Sequence, residues 1–230
     1  MACEDSGIRR LVLASGSPRR KQLLSLLGLP FVIQAARIDE EPHDGEAPEE
    51  MVVRVARAKA VGVTGIRTDE LVISADTTVA LDGRPLGKPV NGEDAARMLR
   101  ELRGRPHTVY TGIALWHPQT QSMTTALGES RVWMREYSEK DLRDYVESGD
   151  PLDKAGAYAI QHPDFDPVAR VEGCWLNVMG LPLCHLARAL AGVGVDVPAY
   201  VPGCCRAFSQ RACSVGLWIL GGAAIDETAL

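Results

Sequence analysis

No stretch of this sequence stays apolar for long enough to span a bilayer. The longest apolar run near its end, Val215 to Ile225, is about half the required length. The opening residues, MACEDSGIRR, hold no apolar segment of the kind a secretory leader needs, so the expected location is the cytoplasm. Cysteine is sparse: Cys3, Cys174, Cys184, Cys204, Cys205 and Cys213 are too few and too irregularly placed for a disulfide framework in a chain of 230 residues. They form no CxxC pair, and the expectation is reduced thiols, with Cys174 and Cys184 in or near the core. Positive charge is not in excess. A formal net charge of -5 argues against broad, sequence-independent adhesion to nucleic acid while leaving room for a local basic pocket. GxSxG, GxxxxGK[ST], HExxH and a GxGxxG after a strand are all absent. None of His43, His107, His117, His162 and His185 has a recognisable partner spacing, so serine-hydrolase chemistry is set aside.

What remains is a globular composition, 46% hydrophobic and 24% charged, in a chain long enough to bury a substantial core. The organising stretch is Leu11 to Gly28. Leu11, Val12 and Leu13 form a short apolar strand, Ala14 to Ser17 a turn, and Ser17-Pro18 the cap and first position of a helix that Gly28 stops. Ser15, Ser17, Arg19 and Arg20 converge at the positive end of that helix, which suits an anion with the forked geometry of phosphate. An ordinary capped helix with solvated arginines is the competing reading, at about equal weight.

Downstream, Phe31 to Ile33 reads as a strand, followed by an acidic loop, IDEEPHDGEAPEE, and a helix opening at Pro48. Met51, Val52, Val55, Ala56 and Val63 make its apolar side, and Lys59 falls on or beside that stripe. Spacing alone favours a snorkelling lysine over one with an anionic partner. Leu71 to Ala75 is a strand delivering Asp76-Thr77 at its end before Thr78 to Leu81 continues it; Asp76 is then a candidate acid or a turn-forming aspartate. Lys88 lies in a loop bounded by Pro85 and Pro89. A helix follows over Gly92 to Arg103, then strands over Val109 to Trp116 and Met123 to Tyr137 that pair antiparallel across a short turn. A helix capped by Ser138 runs to Glu147. Within SGDPLDKAGAYAIQ, Asp153-Lys154 reads as a pair of small energetic value before a short strand, Ala157 to Ile160. Strands over Val168 to Val171 and Cys174 to Met179 precede a helix after Pro182. From Gly192 the pattern decays, giving one compact unit over 8–197 and a tail over 198–230 with no assigned structure.

Ser15, Arg19, Arg20, Lys59, Asp76, Thr77, Lys88, Asp153, Lys154 and Gln161 all stand at strand ends or in loops. Several cations with one or two carboxylates is the inventory of phosphoanhydride chemistry, in which cations hold a polyphosphate and a carboxylate binds a metal or orients water.

Six segments, ASGSPRRKQLL, ARAKA, SADTTV, LGKP, VYTG and DKAGAYAIQ, occur in an order and spacing that resemble the Maf family of nucleoside triphosphate pyrophosphatases over Leu11 to Leu190. The resemblance implies an α/β fold of the Maf-like, ITPase-like kind: a mixed twisted sheet flanked by helices, with a nucleotide cleft between two lobes. It implies hydrolysis to the monophosphate and pyrophosphate, a divalent cation (Mg2+ or Mn2+), and a cytoplasmic homodimer. It places the proton-accepting carboxylate at Asp76, phosphate contacts at Ser15, Arg20, Lys59 and Lys88, and a second carboxylate near the metal at Glu40. Arg19, Thr77 and Gln161, with Tyr158, match the branch acting on dTTP and UTP rather than the 7-methyl-GTP branch. His162-Pro163-Asp164 replaces a glycine-rich turn, and the tail matches nothing in the family pattern. A nucleotide-binding regulator of cell division with little turnover is the alternative from another class.

Overall fold

The computed structural model describes residues 7–221; Cys3 and the end of the apolar run beyond Gly221 fall outside them. One seven-stranded mixed sheet organises the chain, in the order β2-β1-β3-β5-β6-β7. β1 (Arg10–Leu13) lies parallel to both β2 (Phe31–Ile33) and β3 (Glu70–Leu81). The strand pairs on the other side of β3 are antiparallel: β5 (Pro106–His117), β6 (Ser122–Met134) and β7 (Val168–Gly173), with a bulge at Trp133/Met134. β4 (Arg84–Leu86) folds back on β3 across the Asp82-Gly83 turn.

The helices are α1 (Pro18–Ser25), α2 (Pro48–Val61), α3 (Gly92–Leu102), α4 (Glu139–Glu147), α5 (Trp175–Val178), α6 (Leu183–Gly192), α7 (Val201–Ser209) and α8 (Gly216–Ile219). They cover both faces of the sheet. Because side chains alternate along a strand, Val12 and Val72 face Ala56 and Ala60 of α2, while Leu11, Leu13, Leu71 and Ile73 enter a larger core with α1, α3 and α6. α2 crosses β5 at Gly112. A Cβ there would overlap the backbone carbonyl of Val52 and lie 2.7 Å from the Val53 nitrogen, so the helix reaches the sheet only over glycine.

β3 is one unbroken strand, and Asp76 sits in its middle rather than at its end. β5 occupies one edge of β3 from Val72 to Ala80. On the other edge, β1 pairs only with Glu70 to Ile73 and β4 only with Val79 to Leu81. The five residues Ser74 to Thr78 therefore have no strand beside them on that edge, and the cleft opens there.

Three local expectations are corrected. Ala157 to Ile160 is not a strand: it follows two short 3-10 turns, Asp150–Asp153 and Ala155–Ala157, with Gly156 at φ 67 packed against Val79. Cys174 to Met179 is the single turn of α5, bracketed by Gly173 at φ 101 and Gly180 at φ 104; a short apolar run does not distinguish a strand from a buried helical turn. The stretch left unassigned after Pro198 holds α7 and α8. Both helices pack on α6 and bury Val201, Cys205 and Ile219 in the main core. The described cysteines carry no disulfide, and Cys174 and Cys184 are buried as expected.

Candidate active site

The gap beside β3 opens into a cavity of about 760 Å³. Ser15, Arg19, Arg20, Glu40, Lys59, Asp76, Thr77, Lys88 and Gln161, the nine residues expected to bind substrate or metal or to act as the base, all line it, as do the other candidates Asp153, Lys154 and Tyr158. They arrive from seven segments: the β1–α1 turn, the first turn of α1, the acidic loop, α2, β3, the β4–α3 loop and the segment after α4.

At its centre is an ion triplet. Lys59 is 7% exposed and Asp76 6%, and the lysine Nζ stands 2.7 Å from Asp76 Oδ1 and 2.9 Å from Glu40 Oε2. Lys59 thus has two anionic partners, which corrects the snorkelling expectation. Helical spacing shows that a lysine falls on a buried stripe but not what faces it across the sheet. A lone buried ammonium would be costly, and the two carboxylates offset that cost. Asp76 likewise is no turn-former, because its side chain crosses the sheet face to α2. Glu40 is half exposed, on a loop pinned to α2 where Arg54 forks Glu46 at 2.6 and 2.8 Å and donates to the Glu41 carbonyl.

The opposite face of β3 presents Thr77 to Arg20. The guanidinium donates from Nε to the Gly180 carbonyl (2.9 Å), from Nη2 to Thr77 Oγ1 (3.0 Å) and more weakly from Nη1 to Ser15 Oγ (3.5 Å). Burial lowers its pKa, and the carboxylates of Asp76 and Glu40 oppose that shift. Ser17 Oγ accepts the Arg20 backbone N–H as the helix cap, so the hydroxyl left facing the cavity from this turn is that of Ser15. The ordinary cap and the cationic pocket are both present, and neither excludes the other. Lys88 and Gln161 are exposed at the rim.

The remaining wall is held by aromatic and ionic clamps. Lys154, 8% exposed, binds Asp150 Oδ1 at 2.9 Å and Asp153 Oδ1 at 2.6 Å, so its charge is taken up within its own loop and not offered to a ligand. Tyr145 donates to Asp150 Oδ2 (2.7 Å) and accepts from the Ala159 N–H (2.9 Å), and its ring stacks on Phe165 at 4.3 Å. The His162 turn is thereby anchored: the ring of His162 meets Tyr145 edge-on, and its Nδ1 accepts the Phe165 N–H. Asp150, Asn177 and Gly180 escaped the sequence reading, because their relevance depends on contacts with residues far along the chain.

Tyr158 lines the cavity with its phenol oxygen held by His107, whose Nε2 lies 2.7 Å away. Burial pushes the His107 pKa down from 6.5 to about 4. The unfolded chain therefore takes up a proton as pH falls below 6.5, whereas the folded chain resists it until about pH 4. Stability is full above that window and is expected to fall through it by up to about 1.4 kcal/mol per pH unit from this residue. Denaturant unfolding at the two ends of the window should show a shallower loss for His107→Gln than for the parent; parallel losses would remove His107 as the cause.

Asp76 and Glu40 could together supply oxygen ligands to a divalent cation, although both are paired with the Lys59 ammonium and no group of three or more potential ligands occurs among the described residues. The pair fits Mg2+ or Mn2+, since such ions take one or two carboxylates and complete their shell with water and phosphate oxygens.

A family model described as Maf-like protein matches residues 10–193. A protein of Pelotomaculum thermopropionicum named dTTP/UTP pyrophosphatase is 47% identical over 190 residues, covering 83% of this chain and all of that one. Proteins of the same name from Moorella thermoacetica (47% identity; 82% of this chain, 97% of that one) and Hahella chejuensis (46%; 83% and 96%) are also similar. Among solved structures, a HAM1 protein from Coxiella burnetii covers 67% of this chain and 89% of its own, with a TM-score of 0.42 and 19% identity.

Proposed function

We propose that this chain, which belongs to the Maf-like protein family, is a hydrolase that converts dTTP and UTP to the monophosphate and pyrophosphate. The observation that carries the reading is the meeting of Arg19, Arg20, Lys59 and Lys88 with Asp76 and Glu40 in one cavity beside an interrupted sheet edge. Arg20, Lys59 and Lys88, with the Ser15 hydroxyl, grip the triphosphate and neutralise the charge that builds on the departing pyrophosphate. Asp76 steers water to the α-phosphorus and accepts its proton. Asp76 and Glu40 would hold a divalent cation, which would supply Lewis-acid polarisation of the phosphate oxygens. Gln161, at the rim, has both a donor and an acceptor for a pyrimidine edge, and Arg19 and Thr77 occupy positions that match the family's dTTP/UTP branch. A cytoplasmic homodimer belongs to the same proposal. No described helix is long and apolar enough to cross a membrane, and sedimentation of the purified chain checks the dimer.

Hydrolysis of UTP in 18O-labelled water with magnesium or manganese tests the reaction. The label is expected in the monophosphate and not in pyrophosphate, with activity abolished by a chelator. Label in pyrophosphate, or release of orthophosphate and a diphosphate, would exclude attack at the α-phosphorus. Competition between UTP and 7-methyl-GTP separates the two branches, and nucleotide binding without turnover would favour a regulator.

A further inference from the structure

Arg20 is the head of a hydrogen-bond chain that runs inward across two strands. Its Nη2 donates to Thr77 Oγ1 at 3.0 Å, and Thr77 Oγ1 lies 3.0 Å from Thr111 Oγ1. Thr111 Oγ1 in turn stands 3.0 Å from the backbone carbonyl of Asn177. Thr77 and Thr111 are directly opposed in the β3–β5 register, so the contact is set by the sheet itself.

Each hydroxyl carries one proton, and this fixes the direction of every link. The Asn177 carbonyl can only accept, so Thr111 donates to it. Thr111 has then spent its proton and must accept from Thr77. Thr77 has spent its own in turn, so toward Arg20 its oxygen is an acceptor only. The Thr77 hydroxyl consequently has no proton to offer a base or a ribose.

The far end is rigid. The Asn177 side chain donates to the Val109 carbonyl (2.9 Å) and to Ser130 Oγ (3.1 Å), tying α5 to β5 and β6. Thr111 and Asn177 are both wholly buried. The Gly180 N–H also reaches the Asn177 carbonyl, at 2.9 Å, and the Gly180 carbonyl is the second acceptor of Arg20. At Gly180, φ is +104, and an added Cβ would stand 3.4 Å from Thr77 Oγ1 and 3.6 Å from Arg20 Nε. One turn of chain thus provides both ends of the clamp on the guanidinium.

We infer that Thr111 and the Asn177–Gly180 turn are positioning elements for Arg20, and that Thr77 acts on substrate through Arg20 and not by touching the nucleoside. The inference rests on the reading of Arg20 as a phosphate ligand. It deepens that reading by assigning the substrate contribution of Thr77 to the polyphosphate.

The test is a double-mutant cycle of Thr111→Val and Thr77→Val against Arg20→Gln, read as dissociation constants for α,β-methylene-UTP and for inorganic tripolyphosphate, with kcat and KM for UTP alongside. With Arg20 present, each valine variant is expected to weaken both ligands by roughly tenfold and to raise KM more than it lowers kcat, and Thr111→Ser should restore the parent value. In the Arg20→Gln background, neither valine should weaken binding further. Equal losses in both backgrounds, losses confined to the nucleotide, or no rescue by serine would overturn the inference. Thr77→Val, at the cavity surface, carries the same comparison if Thr111→Val does not fold. A parent chain that binds tripolyphosphate but hydrolyses no nucleotide would sink the pyrophosphatase reading and leave the cycle readable.

Discussion

Asp76→Asn is expected to reduce kcat for UTP by about 10³-fold, the scale of a lost general base, with KM changed far less. The substitution preserves shape and keeps an oxygen that can accept from the Lys59 ammonium, which lies 2.7 Å away in the parent. It removes the charge and with it the capacity to take a proton from water. Because the residue is held in the middle of β3, between the pairing of β1 and β4, the asparagine should sit where the aspartate does. The checking measurement is steady-state turnover on UTP beside thermal unfolding of both proteins. A variant with parental kcat would end the assignment of Asp76 as the base. A variant that lost activity only by unfolding would show a collapsed melting transition.

The second large effect is on stability. Gly112→Ala should destabilise the fold by about 2 to 3 kcal/mol, in the range of overpacked cores. Its new methyl meets backbone rather than a flexible side chain: the Val52 carbonyl carbon at 2.6 Å and the Val53 nitrogen at 2.7 Å. Relief requires α2 to lift from the sheet, and α2 carries Lys59. Loss of stability should therefore be accompanied by a weaker grip on tripolyphosphate, even though Gly112 is not among the residues lining the cavity. Urea unfolding and calorimetric binding measure the two. Parental stability in the alanine variant would show that the helix and sheet have slack at this crossing.

Much of this architecture was readable before any coordinates, for a physical reason. β1, β3, α2, α3, α4 and β5 carry their signals locally, in apolar period, caps and terminating glycines. The Ser138 cap, for example, is completed by Asp141 as a reciprocal capping box. Eight of the nine site residues were legible as residue types in their local setting, Glu40 came only with the family resemblance, and the fold brings all nine to one cavity. What was illegible depended on distant partners. Nothing near Lys59 in sequence shows that Glu40 and Asp76 will face it, and a four-residue, mostly apolar segment such as Trp175–Val178 gives no period to separate helix from strand. α7 and α8 were hidden because they are short: α7 buries only Val201 and Cys205, one turn apart, α8 is a single turn, and both dock on α6.

The break in strand pairing beside Asp76 also divides what can vary from what cannot. The carboxylate rides on a strand bonded to β5 from Val72 to Ala80, on both sides of it, so its position is as fixed as the sheet. Gln161 and Lys88, by contrast, hang from irregular segments at the rim. Descendants of this chain could exchange rim residues and acquire a taste for a different nucleobase while inheriting the same water-activating centre unaltered. A lineage with many dialects of substrate and a single grammar of cleavage is what such an arrangement permits.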